Sequence, residues 1–137
     1  MTLKIIVNGA QGKMGRTTCA ALENTTDLQL IGQSTKESDL NAMIKALKPD
    51  IVIDFTTPNA VYDNCKTMID NNIRLLVGTT GLTQIQLNEL KKLCEQRALG
   101  AIIAPNFSLG AILMMRYAQD AAQHFPDSEI IEMHHNQ

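Results

Sequence analysis

Two patterns of apolar residues alternate along the chain. Short, nearly continuous apolar runs occupy residues 3–7, 28–32, 51–55, 75–77 and 101–104, and another lies at 129–133. Runs of this length predict strands covered on both faces, as in a parallel sheet. Between them, apolar residues return at three- and four-residue spacing, which predicts helices with one buried stripe. Met14, Thr18, Ala21 and Leu22 mark the first stripe, and Leu40, Met43, Ile44 and Leu47 the second. Val61, Cys65, Met68 and Ile69 mark the third; Ile85, Leu87, Leu90, Leu93 and Cys94 the fourth. A longer helix is expected from about Leu109, through Met114, Tyr117 and Ala121, towards Pro126.

Polar residues punctuate these segments. Ser38 is placed to cap the second helix, which Pro49 stops, and Thr57 to cap the third, with Pro58 at its first helical position. That helix ends near Asn71-Asn72. Thr83 caps the fourth helix, which ends within residues 97–100. Strict strand–helix alternation predicts an α/β fold, a Rossmann-type doubly wound parallel sheet with right-handed crossovers.

Such sheets bind ligands at the carboxyl ends of their strands, and three turns on that edge are unusual. The first is Asn8-Gly9-Ala10-Gln11-Gly12-Lys13-Met14-Gly15-Arg16. Between a strand and a helix it reads as a dinucleotide-binding turn, spaced G-x-x-G-x-x-G with Ala10 where the commonest pattern has a glycine. Gly9 permits the sharp turn, Gly12 permits backbone to approach a pyrophosphate, and Gly15 permits close helix–strand packing. Free N–H groups at the helix start then face the phosphates. The plain alternative is a strand–turn–helix with no ligand. The second turn, Gly78-Thr79-Thr80-Gly81, offers backbone N–H groups and two hydroxyls. The third, Pro105-Asn106-Phe107-Ser108, offers an amide beside an aromatic face. Taken singly, each also fits an ordinary turn, with Phe107 in the core.

About twenty residues past the glycines, a carboxylate normally binds the adenosine ribose. Here the position holds Thr35, followed by Lys36 and Glu37. Thr35 supplies no carboxylate and Lys36 can neutralise a 2′-phosphate, so the reading tilts toward NADPH. NADH stays open through Glu37, and a solvated turn of Lys36, Glu37 and Asp39 is the alternative.

Composition narrows the function classes. The 137 residues suffice for one domain with a real core, and a net charge of −2 argues against a nucleic-acid surface. Arg116 interrupts the longest apolar stretch, residues 109–118, so no membrane span is expected. The first strand starts at Leu3, leaving no room for a signal peptide, and the cytoplasm is the expected location. Cys19, Cys65 and Cys94 are widely spaced without a C-x-x-C pair, which predicts buried reduced thiols and no metal site.

Taken together, the motifs resemble the amino-terminal part of the dihydrodipicolinate reductase family. The likeness rests on residues 9–16, Asp54-Phe55-Thr56-Thr57-Pro58, residues 78–81, residues 104–110 and Glu129-Ile130-Ile131-Glu132-Met133-His134-His135, in that order. It implies reduction of a cyclic imine dicarboxylate, 4-hydroxy-tetrahydrodipicolinate, to tetrahydrodipicolinate by NADPH or NADH, on the diaminopimelate route to lysine. By that resemblance Gly9, Ala10, Gln11, Gly12, Lys13 and Met14 cradle the cofactor pyrophosphate. Gly78, Thr79, Thr80, Ala104, Pro105, Asn106 and Phe107 line the nicotinamide side. His134 corresponds to the catalytic acid/base and His135 to a substrate-binding neighbour. Histidine titrates near neutral pH and suits the proton that must follow hydride transfer. Strand alternation places Glu132 and His134 on one face and His135 on the other, so the strand must turn near His134 for both imidazoles to serve one site. Without the resemblance, a surface pair ranks first and a Glu132-x-His134 metal half-site a distant second.

The expected division is a dinucleotide-binding domain at 1–128 and the start of a substrate domain at 129–137. In the family a lysine, a Gly-Thr loop and the rest of a sheet-rich domain come after the two residues matching Asn136 and Gln137. That domain also forms a homotetramer interface, so this chain alone is expected not to turn over. Many members carry an acidic–basic pair where Thr35-Lys36 stands. The reading from another class is a non-catalytic nucleotide-binding module with an incidental histidine pair.

Overall fold

A computed structural model describes residues 2–104, 106–127 and 129–131. Strands and helices alternate as β1 (Leu3–Asn8), α1 (Lys13–Glu23), β2 (Leu28–Ser34), α2 (Leu40–Leu47) and β3 (Ile51–Asp54). They continue as α3 (Val61–Asp70), β4 (Arg74–Val77), α4 (Gln84–Gln96), β5 (Ala101–Ile103) and α5 (Leu109–Ala122). Two compact units divide the chain, Met1–Pro105 and Asn106–Gln137.

In the first unit the strands form one sheet in the order β2-β1-β3-β4-β5, and every pairing is parallel. Side chains alternate across it as the period of two requires. Ile6, Val52, Leu75 and Val77 pack with the buried stripes of α2, α3 and α4, including Ile44, Val61, Met68 and Leu90. Ile5, Val7 and Ile53 turn the other way, against Cys19 and Leu22 of α1. Helices on both faces make the sheet doubly wound, as the continuous apolar strands predict. The order reverses between β1 and β3: chain growth runs to β2 on one side and to β3, β4 and β5 on the other. At that reversal the carboxyl ends of β1 and β3 splay their connections to opposite faces and leave a crevice.

Several local expectations change. The buried stripe of α1 is Gly15, Cys19 and Leu22, while Met14 is 43% exposed. The helix starts at Lys13 and turns Gly15, the residue without a side chain, onto the preceding turn. In α4 the buried residues are Leu90 and Cys94, and Ile85 is 80% exposed in the first turn. Asp39, not Ser38, caps α2, accepting from the Ala42 N–H at 3.0 Å, because the Ser38 hydroxyl is taken by the Thr35 N–H at 3.0 Å. Helix α2 ends at Lys48, in the left-handed conformation with φ 49°, just before the proline that disfavours further helix. Helix α3 begins at Val61 with no side-chain cap, since the Thr57 carbonyl, not its hydroxyl, closes the preceding turn onto Ala60 and Val61. Thr83 caps α4 in a reciprocal box with Gln86, as expected.

In the second unit Ser108 caps α5, accepting from the Ala111 N–H, and the Asn106 Oδ1 accepts from the Ser108 N–H at 2.7 Å. Of the strand expected at 129–133, residues 129–131 form no strand, because a strand requires a partner ladder and none engages them among the described residues. Residues 132 and 133 lie outside the described residues.

Candidate functional site

The turn after β1 is built by what its residues lack. Gly9 has φ 81°, and a Cβ there would run into the Phe55 carbonyl, whose carbon lies 2.7 Å from the ideal position. The N–H groups of Gly9 and Ala10 both donate to the Ser34 carbonyl at 3.0 Å, pinning the turn to the end of β2. The Gly12 N–H donates back to the Gly9 carbonyl at 3.0 Å. A Cβ on Gly15 would meet the Gly9 carbonyl and the Ala10 Cα at 2.7 Å, so α1 lies as close to the turn as backbone allows.

Gly12 differs from both. Its nearest neighbour to an added Cβ is the Gly9 oxygen, at an ordinary 3.4 Å. It is the N-cap of α1 and supplies no side-chain cap, so the helix opens with N–H groups that have no intrahelical acceptor. These groups and the helix dipole form a donor surface for an anion. That surface adjoins a cleft of about 390 Å³ bordered by Gly9, Gln11, Gly12, Thr35, Lys36 and Phe55 among others. Asn8, Ser38, Thr56, Thr57 and Asn64 complete its polar lining.

Beside Lys36 the turn is closed by its own hydrogen bonds. The Thr35 hydroxyl donates to Glu37 Oε2 at 2.8 Å, and the Ser38 N–H donates to the Thr35 carbonyl at 3.1 Å. Lys36 and Thr35 border the cleft, while the Glu37 carboxylate is engaged inside the turn.

The structure therefore brings Gly9, Gln11, Gly12 and Lys36 to one cleft. Ala10 turns away: its side chain is buried among Cys19, Leu22 and the strand residues. Lys13 and Met14 lie in the opening turn of α1 but are not among the cleft-lining residues. Thr79 is buried, and its hydroxyl is committed to Asp54 at 2.6 Å. The Gly78 N–H donates to the Asp54 carbonyl at 2.9 Å, continuing the sheet ladder, and Thr80 is exposed. Gly81, with φ 104°, makes the sharp turn there, its open face closed by Pro58. The Ala104 N–H donates to the Val77 carbonyl at 2.8 Å. Asn106 and Phe107 belong to the second unit, and Pro105, His134 and His135 lie outside the described residues.

One group escaped the sequence reading. Asp54, at the end of β3, is fully buried and accepts from Asn8, Thr56, Asn64 and Thr79. The signal in the sequence was an aspartate that follows Ile51-Val52-Ile53 without a break; the parallel register then sets it opposite another polar strand end, Asn8. The three cysteines are free and buried. Burial pushes the Cys65 thiol up to about 12, with the Asp54 charge adding to the effect. Burial likewise raises Cys19, helped by Glu23, and Cys94, helped by Glu95. Thiols held protonated in this way are poor nucleophiles. No described helix is long and apolar enough to cross a membrane.

Known proteins resemble this chain in sequence and in fold. A family model described as dihydrodipicolinate reductase, N-terminus, matches residues 3–107. The 4-hydroxy-tetrahydrodipicolinate reductase of Coxiella burnetii (strain Dugway 5J108-111) is 48% identical over 137 residues, which is 100% of this chain and 57% of that protein. Its counterpart in Legionella pneumophila (strain Paris) is 47% identical over the same span and 56% of its own length. A solved dipicolinate-bound dihydrodipicolinate reductase from Paenisporosarcina sp. TG-14 is 32% identical with a TM-score of 0.79. That likeness covers 93% of this chain and 56% of the other. GenD2 of gentamicin A biosynthesis, 15% identical with a TM-score of 0.70, shares the fold. The chain spans little more than half the length of the curated relatives it matches. With its glycine turn, its five-stranded parallel sheet and this degree of identity, the chain belongs to the dihydrodipicolinate reductase family and corresponds to the family's amino-terminal region.

Proposed function

We propose that this chain is the cofactor-binding half of a nicotinamide-dependent reductase that converts 4-hydroxy-tetrahydrodipicolinate to tetrahydrodipicolinate on the diaminopimelate route to lysine. The observation that carries the reading is the uncapped start of α1 at Gly12, opening beside the cleft in a chain of this family. A pyrophosphate fits there because it needs donors, close backbone approach and no side chain in the way. Gly9 and Gly15 shape the turn, Gly12 leaves it open, and the N–H groups of Lys13 and Met14, in the first helical turn with no intrahelical acceptor, are assigned to the pyrophosphate. Ala10 contributes through the backbone turn it completes. Lys36 stands by the cleft with no carboxylate offered by Thr35, which favours NADPH over NADH through a 2′-phosphate contact.

A bound reduced nicotinamide supplies the hydride. Gly78, Thr79, Thr80, Ala104, Pro105, Asn106 and Phe107 are assigned to the nicotinamide side. His134 is assigned the proton that must follow hydride addition, and His135 a carboxylate of the substrate. The proposed division is a cofactor domain at 1–128 and the beginning of a substrate domain at 129–137. The complete protein is proposed to be a cytoplasmic homotetramer.

The test has two arms. NADPH and NADH are titrated separately into this chain, following nicotinamide fluorescence at low salt. A protein extended to the length of its relatives is then given NADPH and the cyclic imine dicarboxylate. The expected result is binding by this chain, tighter for NADPH, and cofactor oxidation by the longer protein. Binding without oxidation in the longer protein overturns the reductase in favour of a nucleotide-binding module. No binding by a folded chain overturns the glycine turn as an autonomous cofactor site.

A further inference from the structure

We propose that Asp54 is the positioning residue of the cofactor cleft: its buried carboxylate draws the donors of Asn8, Thr56 and Asn64 inward and so sets which atoms those side chains offer a ligand. This inference rests on the cofactor reading above and concerns a residue that does not itself border the cleft.

The carboxylate sits at the carboxyl end of β3, beside the reversal of strand order, and is 0% exposed. Its Oδ2 accepts from the Asn8 Nδ2 and the Asn64 Nδ2, each at 2.9 Å. Its Oδ1 accepts from the Thr56 hydroxyl at 2.7 Å, the Thr56 N–H at 3.1 Å and the Thr79 hydroxyl at 2.6 Å. All five donors are neutral groups, and hydrogen bonds to a carboxylate are the charge-assisted kind. The donors come from β1, the turn after β3, α3 and the turn after β4. One buried group thus ties together four segments around the head of the sheet.

Three of those residues, Asn8, Thr56 and Asn64, border the cleft with Gly9, Gly12 and Lys36. Their hydrogen-bonding capacity is divided by Asp54. The Asn64 amide also donates to the Thr56 Oγ1 at 3.1 Å, so both of its N–H bonds are spent and its Oδ1 is left as acceptor. The Thr56 hydroxyl proton is likewise spent on Asp54. The Asn8 Nδ2 gives one N–H to the carboxylate. Asn64 Oδ1 and the Thr56 hydroxyl oxygen are thereby left as acceptors, whereas the Gly12 turn offers N–H donors. Acceptors suit hydroxyl groups such as those of a ribose and repel phosphate oxygens. The two walls together orient a ligand that carries both.

Asp54→Asn removes one acceptor oxygen with almost no change in volume. The new amide nitrogen meets N–H donors on either side, Asn8 and Asn64 where it replaces Oδ2 or the Thr56 N–H where it replaces Oδ1, so the network must rearrange to escape a clash of donors. NADPH affinity is expected to fall about tenfold or more, the loss of one charge-assisted hydrogen bond. The double variant Asn8→Asp/Asp54→Asn restores one carboxylate facing one amide and is expected to recover part of the affinity. Thr83→Ala, in the capping box of α4 and outside the cleft, serves as a control that lowers stability alone. Side-chain amide resonances of Asn8 and Asn64 in 15N spectra, taken without cofactor, report the hydrogen bonds those amides make. They are expected to shift strongly in Asp54→Asn and not in Thr83→Ala.

Unchanged amide resonances in Asp54→Asn would refute the positioning role, whatever the cofactor does. So would an affinity loss no larger than that of Thr83→Ala. If Asp54→Asn does not fold, Thr79→Val removes one of the carboxylate's donors; because Thr79 is itself assigned to the nicotinamide side, only the Asn8 and Asn64 amide resonances decide that test. Shifted Asn8 and Asn64 resonances are then expected, and native resonances overturn the proposal. If the unaltered chain binds no cofactor, the cofactor reading fails, while the amide resonances still decide whether Asp54 orders the cleft.

Discussion

The two turns that border the cleft, after β1 and after β3, are built by opposite means. After β1, shape comes from missing side chains: Gly9 takes φ 81° against the Phe55 carbonyl, and Gly15 lies on Gly9 and Ala10 with no room for a Cβ. After β3, shape comes from a side chain that is present and charged, with Asp54 gathering Asn8, Thr56, Asn64 and Thr79. The first turn is rigid because backbone touches backbone. The second is ordered because leaving a buried donor or acceptor unpaired costs free energy. A glycine turn therefore fails by steric collision, and a carboxylate hub fails by losing complementarity while the chain still packs.

The largest expected effect tests the first half of that contrast. Gly9→Val puts a β-branched residue at positive φ and drives its Cβ into backbone. It should cost on the order of 3 kcal/mol of stability. In a thermal melt this appears as a fall of more than about 10 °C. A native melting temperature would show that the turn after β1 yields easily and would break the contrast.

Gly12→Val sharpens it. An added Cβ finds its nearest neighbour at 3.4 Å, so the fold should hold. The change at the N-cap costs within about 1 kcal/mol. NADPH affinity should fall at least about 100-fold, or roughly 2.7 kcal/mol. Equal losses of stability and affinity would mean that Gly12 serves packing like Gly9. The smallest effect is expected from Lys36→Ala, which should weaken NADPH about tenfold and NADH hardly at all. Raising the salt should shrink the difference. Equal weakening of both cofactors would remove the 2′-phosphate contact.

The legibility of the two turns in sequence follows from the same physics. Glycine spacing between a strand and a helix is a local pattern, so residues 9–15 could be assigned before any coordinate was known. The apolar runs were equally local, and the α3 stripe of Val61, Cys65, Met68 and Ile69 is buried as expected. The errors fell where two near-equal local choices compete. Ser38 and Asp39 both cap helices well, and the choice depends on which one the Thr35 N–H engages. Met14 and Ile85 fit a helical stripe by spacing, but they sit in opening turns that face solvent.

The sequence by itself determined the order and kind of the elements, the doubly wound sheet and the glycine turn, because periodicity and backbone freedom act over a few residues. Only the tertiary structure decided that Asp54 is a hub. Its partners lie 46, 10 and 25 residues away at Asn8, Asn64 and Thr79. Hydrogen bonds over such separations depend on parallel register and strand order, which bring distant chain segments to one edge of the sheet. An aspartate at the end of an apolar strand announces that a buried charge must be answered, and folding alone supplies the groups that answer it.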